Sequence, residues 1–249
     1  MTFSAKFSIK QLVIFSSLTI LVSSMAFAKS DTKEFDAQYV RALNIDNMQG
    51  DINITGVEAK KAVVVADKTK FTDDCFLLIT QEGPIVKVKV EQKSFMGKDC
   101  RVNFTISMPI NVKLNVTEGM GNLTILNTKG EINYKVGTGD VTIDATVLKV
   151  DGKMGSGKTT IKGLEGDAHF FAGSGAHDLT YSKLPSHGEV EIKTASGGVD
   201  LSLPADAKFS VDAKMGSGSV HNDFTATKNA KFKVLYKAGS GDLNIKKAY

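Results

Sequence analysis

The run with the most chemical promise is Gly152-Lys153-Met154-Gly155-Ser156-Gly157-Lys158-Thr159, which satisfies Gly-x-x-x-x-Gly-Lys-Thr, the spacing of a loop that cradles nucleotide phosphates. Such a loop works by opening a helix whose free N-terminal amides meet the phosphate. Here Thr160-Ile161-Lys162-Gly163 continues as strand and turn, so no nucleotide site is expected. Asp140, Asp178, Asp200 and Asp242 are the turn carboxylates that an enzyme acting on polysaccharide would need as an acid–base pair. Aspartate in a turn also bonds its own backbone, and that use accounts for all four. The serines of the repeated Gly-Ser-Gly turns lack the strand-to-helix elbow of a nucleophile. His169, His177, His187 and His221 form no His-x-x-x-His or Cys–His cluster, so neither a metal centre nor a cofactor is expected.

What positions these residues is a repeat. Gly-x-Gly turns start at Gly119, Gly137, Gly155 and Gly173, a step of 18 each time. A fixed period of this kind marks a stacked coil in which each turn rests on its copy. Ile125, Ile143, Ile161 and Leu179 fall in one column, with Thr124, Thr142, Thr160 and Asp178 beside it. Adjacent residues of a strand point to opposite faces, so the first column fills the interior and the second faces water. A second strand per coil supplies Ile132, Val150 and Ala168 to the interior. His177 follows Val141 and Thr159 in its column and reads as a tolerated substitution near a corner. The period loosens through Gly197-Gly198-Val199-Asp200, Gly216-Ser217-Gly218 and Gly239-Ser240-Gly241-Asp242, and an early copy at Gly50-Asp51-Ile52 starts the array near residue 45. The predicted fold is all-β, a β-solenoid with coils of about 18 to 23 residues. An 18-residue coil also equals two calcium-binding nonapeptides, but the position after the turn reads Asn122, Asp140, Lys158 and Ala176, so the acidic ligand is not maintained.

Residues 1–28 read as a cleaved export signal: Lys6 and Lys10, an apolar stretch broken by serines, and Ala26-Phe27-Ala28. Residues 29–249 are then one domain with no further apolar segment, expected in the periplasm, at the cell surface or secreted. Removing Lys6 and Lys10 lowers the formal charge from +4 to about +2. With the lysines spread along the chain, and Arg41 and Arg101 the only arginines, no nucleic-acid partner is expected. Cys75 and Cys100 in an exported chain predict a disulfide closing a hairpin-like stretch through Phe76 to Thr80 and Val86 to Val90, with two buried thiols as the alternative.

The small-Gly-Asp-apolar-x-Ile turns, together with the strand-Pro-strand segments through Pro109 and Pro204, resemble a family of exported bacterial adhesin-like proteins that includes the auto-transporter adhesin head (GIN) domains. The resemblance covers most of the chain after residue 28 and implies a single-stranded β-solenoid. It names a shape more than an activity. Phe171 shares its column with Lys135 and Lys153 on the outer face, and with nearby Tyr181 it is the expected contact for a glycan or protein. The alternative is a coil whose facing has shifted, burying Phe171 beside Phe170. The function expected is a non-enzymatic envelope or surface interaction module. The alternatives are a polysaccharide-active β-helix enzyme and a self-assembling structural solenoid. Intact-mass measurement of exported material should find the chain starting at Lys29, with neither Cys75 nor Cys100 labelled by a thiol reagent before reduction. A retained leader in soluble material, or two reactive thiols, counts against that processing.

Overall fold

A computed structural model of the chain describes residues 29–93, 100–225, 227 and 230–248. The expected signal segment, residues 1–28, lies outside the described residues. The first strands are β1 (Lys29–Asp36), β2 (Ala42–Gln49), β3 (Ile52–Val57), β4 (Lys61–Lys70), β5 (Cys75–Glu82), β6 (Ile85–Gln92), β7 (Arg101–Pro109) and β8 (Lys113–Met120). Three strands of 16 residues follow, β9 (Leu123–Thr138), β10 (Val141–Ser156) and β11 (Thr159–Ser174). The chain ends through β12 (His177–Tyr181), β13 (Gly188–Ser196), β14 (Val199–Leu203), β15 (Phe209–Ser217), β16 (Val220–Asn222), β17 (Phe232–Ser240) and β18 (Leu243–Lys247). A short 3-10 turn at Ala37–Tyr39 is the only helical element among the described residues.

Two sheet faces enclose the core of this all-β, solenoid-like stack. One runs β5-β6-β2-β8-β9-β10-β11-β13-β17-β15 and uses the second halves of the three long strands. The other runs β1-β4-β7-β3-β9-β10-β11-β12-β14-β18-β16 and uses their first halves. Alternation of apolar and polar residues produces this arrangement, because every second side chain turns inward. Ile106, Ile54, Ile125, Ile143, Ile161, Leu179, Leu201 and Ile245 stack in register and are buried from β7 through β18 of the second face.

In the centre the register advances 18 residues per layer, Leu123 pairing with Val141 and Val141 with Thr159. The ends depart from sequence order, which the repeat does not anticipate. β2 and β3 sit between β6–β7 on one side and β8–β9 on the other. Likewise β17 and β18 lie between β13–β14 and β15–β16. The physical reason is that a parallel strand accepts any neighbour whose inward residues continue the apolar columns, whatever its place in the chain.

The end that carries β1 is closed by antiparallel strands, β1 on β4 on β7 and β5 on β6. β1 reads Lys-Ser-Asp-Thr-Lys-Glu-Phe-Asp, and charge on an edge strand blunts pairing with other chains. Cys75 and Cys100 are joined, with 5.7 Å between their Cα atoms, tying the β5–β6 hairpin to the start of β7.

At the corners neighbouring backbones approach closely. Gly139 has φ 141°, and a Cβ there would lie 1.9 Å from the carbonyl oxygen of Gly121. Residues 152–159 belong to this scheme. Gly152 is inward and leaves room for the Tyr134 ring, whose Cζ would be 2.4 Å from a Cβ. The Lys158 amide donates to Asp140 Oδ1 at 2.8 Å, and Thr159 opens a strand in place of the helix that a phosphate loop requires. Replacing the exposed Lys158 by alanine should leave the thermal melt nearly unchanged. Ile161→Asp buries an unpaired carboxylate in the apolar column and should cost about 3–5 kcal/mol; equal melts for the two variants would refute the register.

Candidate ligand-contact face

Turn side chains are occupied by the stack itself. Asn103 Oδ1 accepts from the Asp51 amide, Asp51 Oδ1 from the Asn122 amide, Asn122 Oδ1 from the Asp140 amide, and Asp140 Oδ1 from the Lys158 amide, at 2.8–3.0 Å. Asp242 Oδ1 accepts from both the amide and the hydroxyl of Ser219 in the last layer. Each such residue binds the next layer's backbone; for Asp140 and Asp242 this takes the place of the expected bond to their own turn, and Asp178 and Asp200 lie within strands β12 and β14. The position where a calcium roll would place acids is therefore a ladder of backbone acceptors.

Asp178 and Asp200 are cross-strand neighbours on the second face. The Lys246 ammonium and Asn244 amide donate to Asp200, which holds its carboxyl below the usual carboxylate range. A glycosidic acid needs the opposite shift. The carboxyl that does shift upward is Glu118, opposite Asn47 in the inward columns. Burial pushes it up to about 7, against donation from Asn47 Nδ2 at 2.7 Å and from the Met120 amide. Glu118 is only 1% exposed, so no polymer reaches it. Among the described residues no group of three His, Cys, Asp or Glu side chains could hold a metal ion.

The two aromatic contact candidates separate. Phe171 is outward and 60% exposed, while Phe170 takes the inward position. Tyr181 is a correction: it is 1% exposed, its hydroxyl donates to the Gly166 carbonyl, and its ring meets Phe232 edge to face. Parity is the reason. His177, Leu179 and Tyr181 alternate along β12 and all turn inward. His177 is thus buried against Phe170, neither ring nitrogen has a partner, and burial lowers its pKa to about 4.

What surrounds Phe171 was only partly legible. The register runs Lys135, Lys153, Phe171, Lys193, Lys237, Lys214 across six adjacent strands of the first face. At about 4.8 Å per strand the row is about 24 Å long. Lys193 bonds Glu191 at 2.7 Å and Lys214 approaches Asp212 at 3.8 Å, whereas Lys135, Lys153 and Lys237 form no salt bridge among the described residues. On one side lies a row containing Asp151, Glu191 and Asp212. On the other is a floor of Gly137, Gly155, Gly173, Ala195, Gly239 and Gly216, edged by the hydroxyls of Thr138, Ser156, Ser174, Ser196, Ser240 and Ser217. A Cβ on Gly155 would lie 2.3 Å from the Gly137 carbonyl oxygen, so close stacking itself keeps the floor bare.

These features define a class, an all-β solenoid-like protein that presents long lateral rows of side chains. The chain belongs to the Toastrack DUF4097 family, whose pattern matches residues 84–248. No curated protein matches its sequence. Among solved structures it is similar to a "putative adhesin" from Bacteroides fragilis, with TM-score 0.48, 15% identity, and coverage of 87% of this chain and 97% of that one. A "putative cell adhesion protein" from Clostridium sporogenes aligns with TM-score 0.40 and 14% identity, over 88% of this chain and 99% of the other. A "putative lipid binding protein" from Parabacteroides distasonis gives TM-score 0.32 and 12% identity, over 88% and 97%. No helix of the described residues is long and apolar enough to cross a membrane.

Glu118 and His177, both buried, set opposite pH limits. Glu118 favours its protonated form in the fold, so its contribution is full below about 4.5 and is lost as pH rises through about 7, roughly 3 kcal/mol in all. His177 favours its neutral form, so its contribution is full above about 6.5 and is lost as pH falls through about 4. In thermal melts across this range, Glu118→Gln should flatten the alkaline limb and His177→Val the acid limb. Parallel wild-type and variant profiles would refute the assignment.

Proposed function

We propose that the chain is an exported, non-enzymatic interaction module of the cell envelope or surface, resembling adhesin heads of the GIN type, with its ligand on the first sheet face. The supporting observation is the division of polar side chains described above. Asp51, Asp140 and Asp242 are spent on backbone amides and Asp200 on Asn244 and Lys246, while the row through Phe171 stays exposed and serves no contact between layers. A binding surface needs no convergent acid, base or nucleophile; an enzyme does. The partner class this reading favours is an envelope glycan or protein, with binding distributed along the face.

A second reading, self-assembly through an end layer, draws on one feature. β15 pairs only with β17 and β16 only with β18, so that end of the stack carries an unpaired strand edge among the described residues. Sedimentation of the purified chain decides it, since self-assembly requires a concentration-dependent increase in mass.

Screening residues 29–249 against cell-envelope polysaccharides should give retention without product release. Phe171→Ala should weaken retention about three- to tenfold with an unchanged melt, within the range for one exposed aromatic contact. Product release abolished by Asp178→Asn or Asp200→Asn would establish the polysaccharide-active alternative.

A further inference from the structure

The lysine row has a cost that the fold gives no reason to bear. Like charges placed directly opposite on adjacent strands repel, and here Lys135 faces Lys153, while Lys193 and Lys214 both flank Lys237. The equivalent outward row of the second face, Thr124, Thr142, Thr160, Asp178, Asp200, Asn244, holds one like-charge pair, Asp178 beside Asp200, and each of these carboxylates has a lysine near it, Lys158 at 4.0 Å and Lys246 at 2.9 Å. Partners for the lysines lie on one side only, from Glu191 and Asp212, and the floor side offers them hydroxyls and bare backbone.

We infer that this trough binds a linear acidic polysaccharide, a chain with carboxylate groups repeating along its length. The inference rests on the interaction-module reading above and names its ligand class. Charge complementarity selects an anion, and its direction follows from the borders. The Asp151, Glu191 and Asp212 side repels a polyanion, so the chain lies over the Gly137-to-Gly216 floor, with the lysine ammoniums along one edge and the serine and threonine hydroxyls along the other. The bare floor lets sugar rings approach the backbone. A shallow groove on the floor side includes Phe171, Gly173, Lys193, Ala195 and Lys237, while the groove at Lys135 and Lys153 opens on the Asp151 side. Phe171 interrupts the lysines midway and offers an aromatic face on which the C–H face of a sugar ring stacks. The width of the row separates this ligand from others. It is one side chain wide, which suits a single linear chain better than a membrane plane. It holds no arginine and a single aromatic residue, whereas single-stranded nucleic acid is held on successive aromatic platforms.

The test uses residues 29–249 and polygalacturonate as the probe, with its full methyl ester, single-stranded DNA and anionic phospholipid vesicles as comparison arms. The expected result is saturable binding to polygalacturonate that weakens with added salt and is lost on esterification. Lys153→Glu combined with Lys237→Glu should weaken it at least tenfold at low salt. Lys33→Glu combined with Lys162→Glu, the same charge change away from the trough, should change it less than threefold. Phe171→Ala should lower affinity for the polysaccharide and leave any residual DNA binding unchanged. Equal losses for the two lysine pairs, or DNA or vesicles binding as tightly through Lys153 and Lys237, would overturn the inference. Retention of a neutral envelope polysaccharide without polygalacturonate binding also overturns it, yet leaves the interaction-module reading in place. Release of sugar products from any polysaccharide defeats that reading instead.

Discussion

One constraint runs through the molecule: at each corner the backbone of one layer must pass within a strand spacing of the backbone below, with no side chain between them. Gly139 over Gly121 is the clearest instance, since a single added carbon would collide with a carbonyl oxygen. Once two corners are held at that distance, the strands that leave them have no freedom of register. Equivalent residues of successive layers must then lie side by side. The inward apolar columns, the acceptor ladder from Asn103 to Lys158 and the outward rows all follow from that alignment.

A surface built this way repeats its chemistry along one dimension. One residue type at one position of the repeat becomes a line of that residue across the sheet, so a modest change in composition makes a continuous stripe. The first face carries basic and hydroxyl stripes on either side of a bare one, and the second carries threonines that give way to acids. The same geometry explains why the interior tolerates the few polar groups it holds. The Asn47 amide donates to Glu118 across adjacent strands, whereas His177, between Thr159 and Val199 in its column, has no partner for either ring nitrogen.

The regular centre could be read from sequence because its spacing is constant. Ile125, Ile143 and Ile161 are 18 apart, as are Lys135, Lys153 and Phe171, and both alignments hold in the structure. Cys75 and Cys100 were legible from compartment chemistry, and the bond is present. Tyr181 was misplaced because proximity to Phe171 in sequence was weighed above strand parity along β12. Lys193, Lys214 and Lys237 could not be aligned at all. Their layers are longer than the repeat and are stacked out of order, and pairing between remote segments is decided by which inward residues fit, information that no local period carries.

The out-of-order ends bear on how the chain acquires its shape. β15 and β16 precede β17 and β18 in the chain, yet among the described residues their only strand partners are those later segments. The outermost layer therefore waits, unpaired, until the final stretch slips in beneath it. At the opposite end β2 and β3 are made early and remain without either flanking layer until β6 to β9 follow. Assembly cannot proceed as a simple wave from the first residue to the last, as it can in a solenoid wound in order. A chain cut before Phe232 lacks β17 and β18 and also leaves β15 and β16 without the strands they pair with, so one cut there costs two layers.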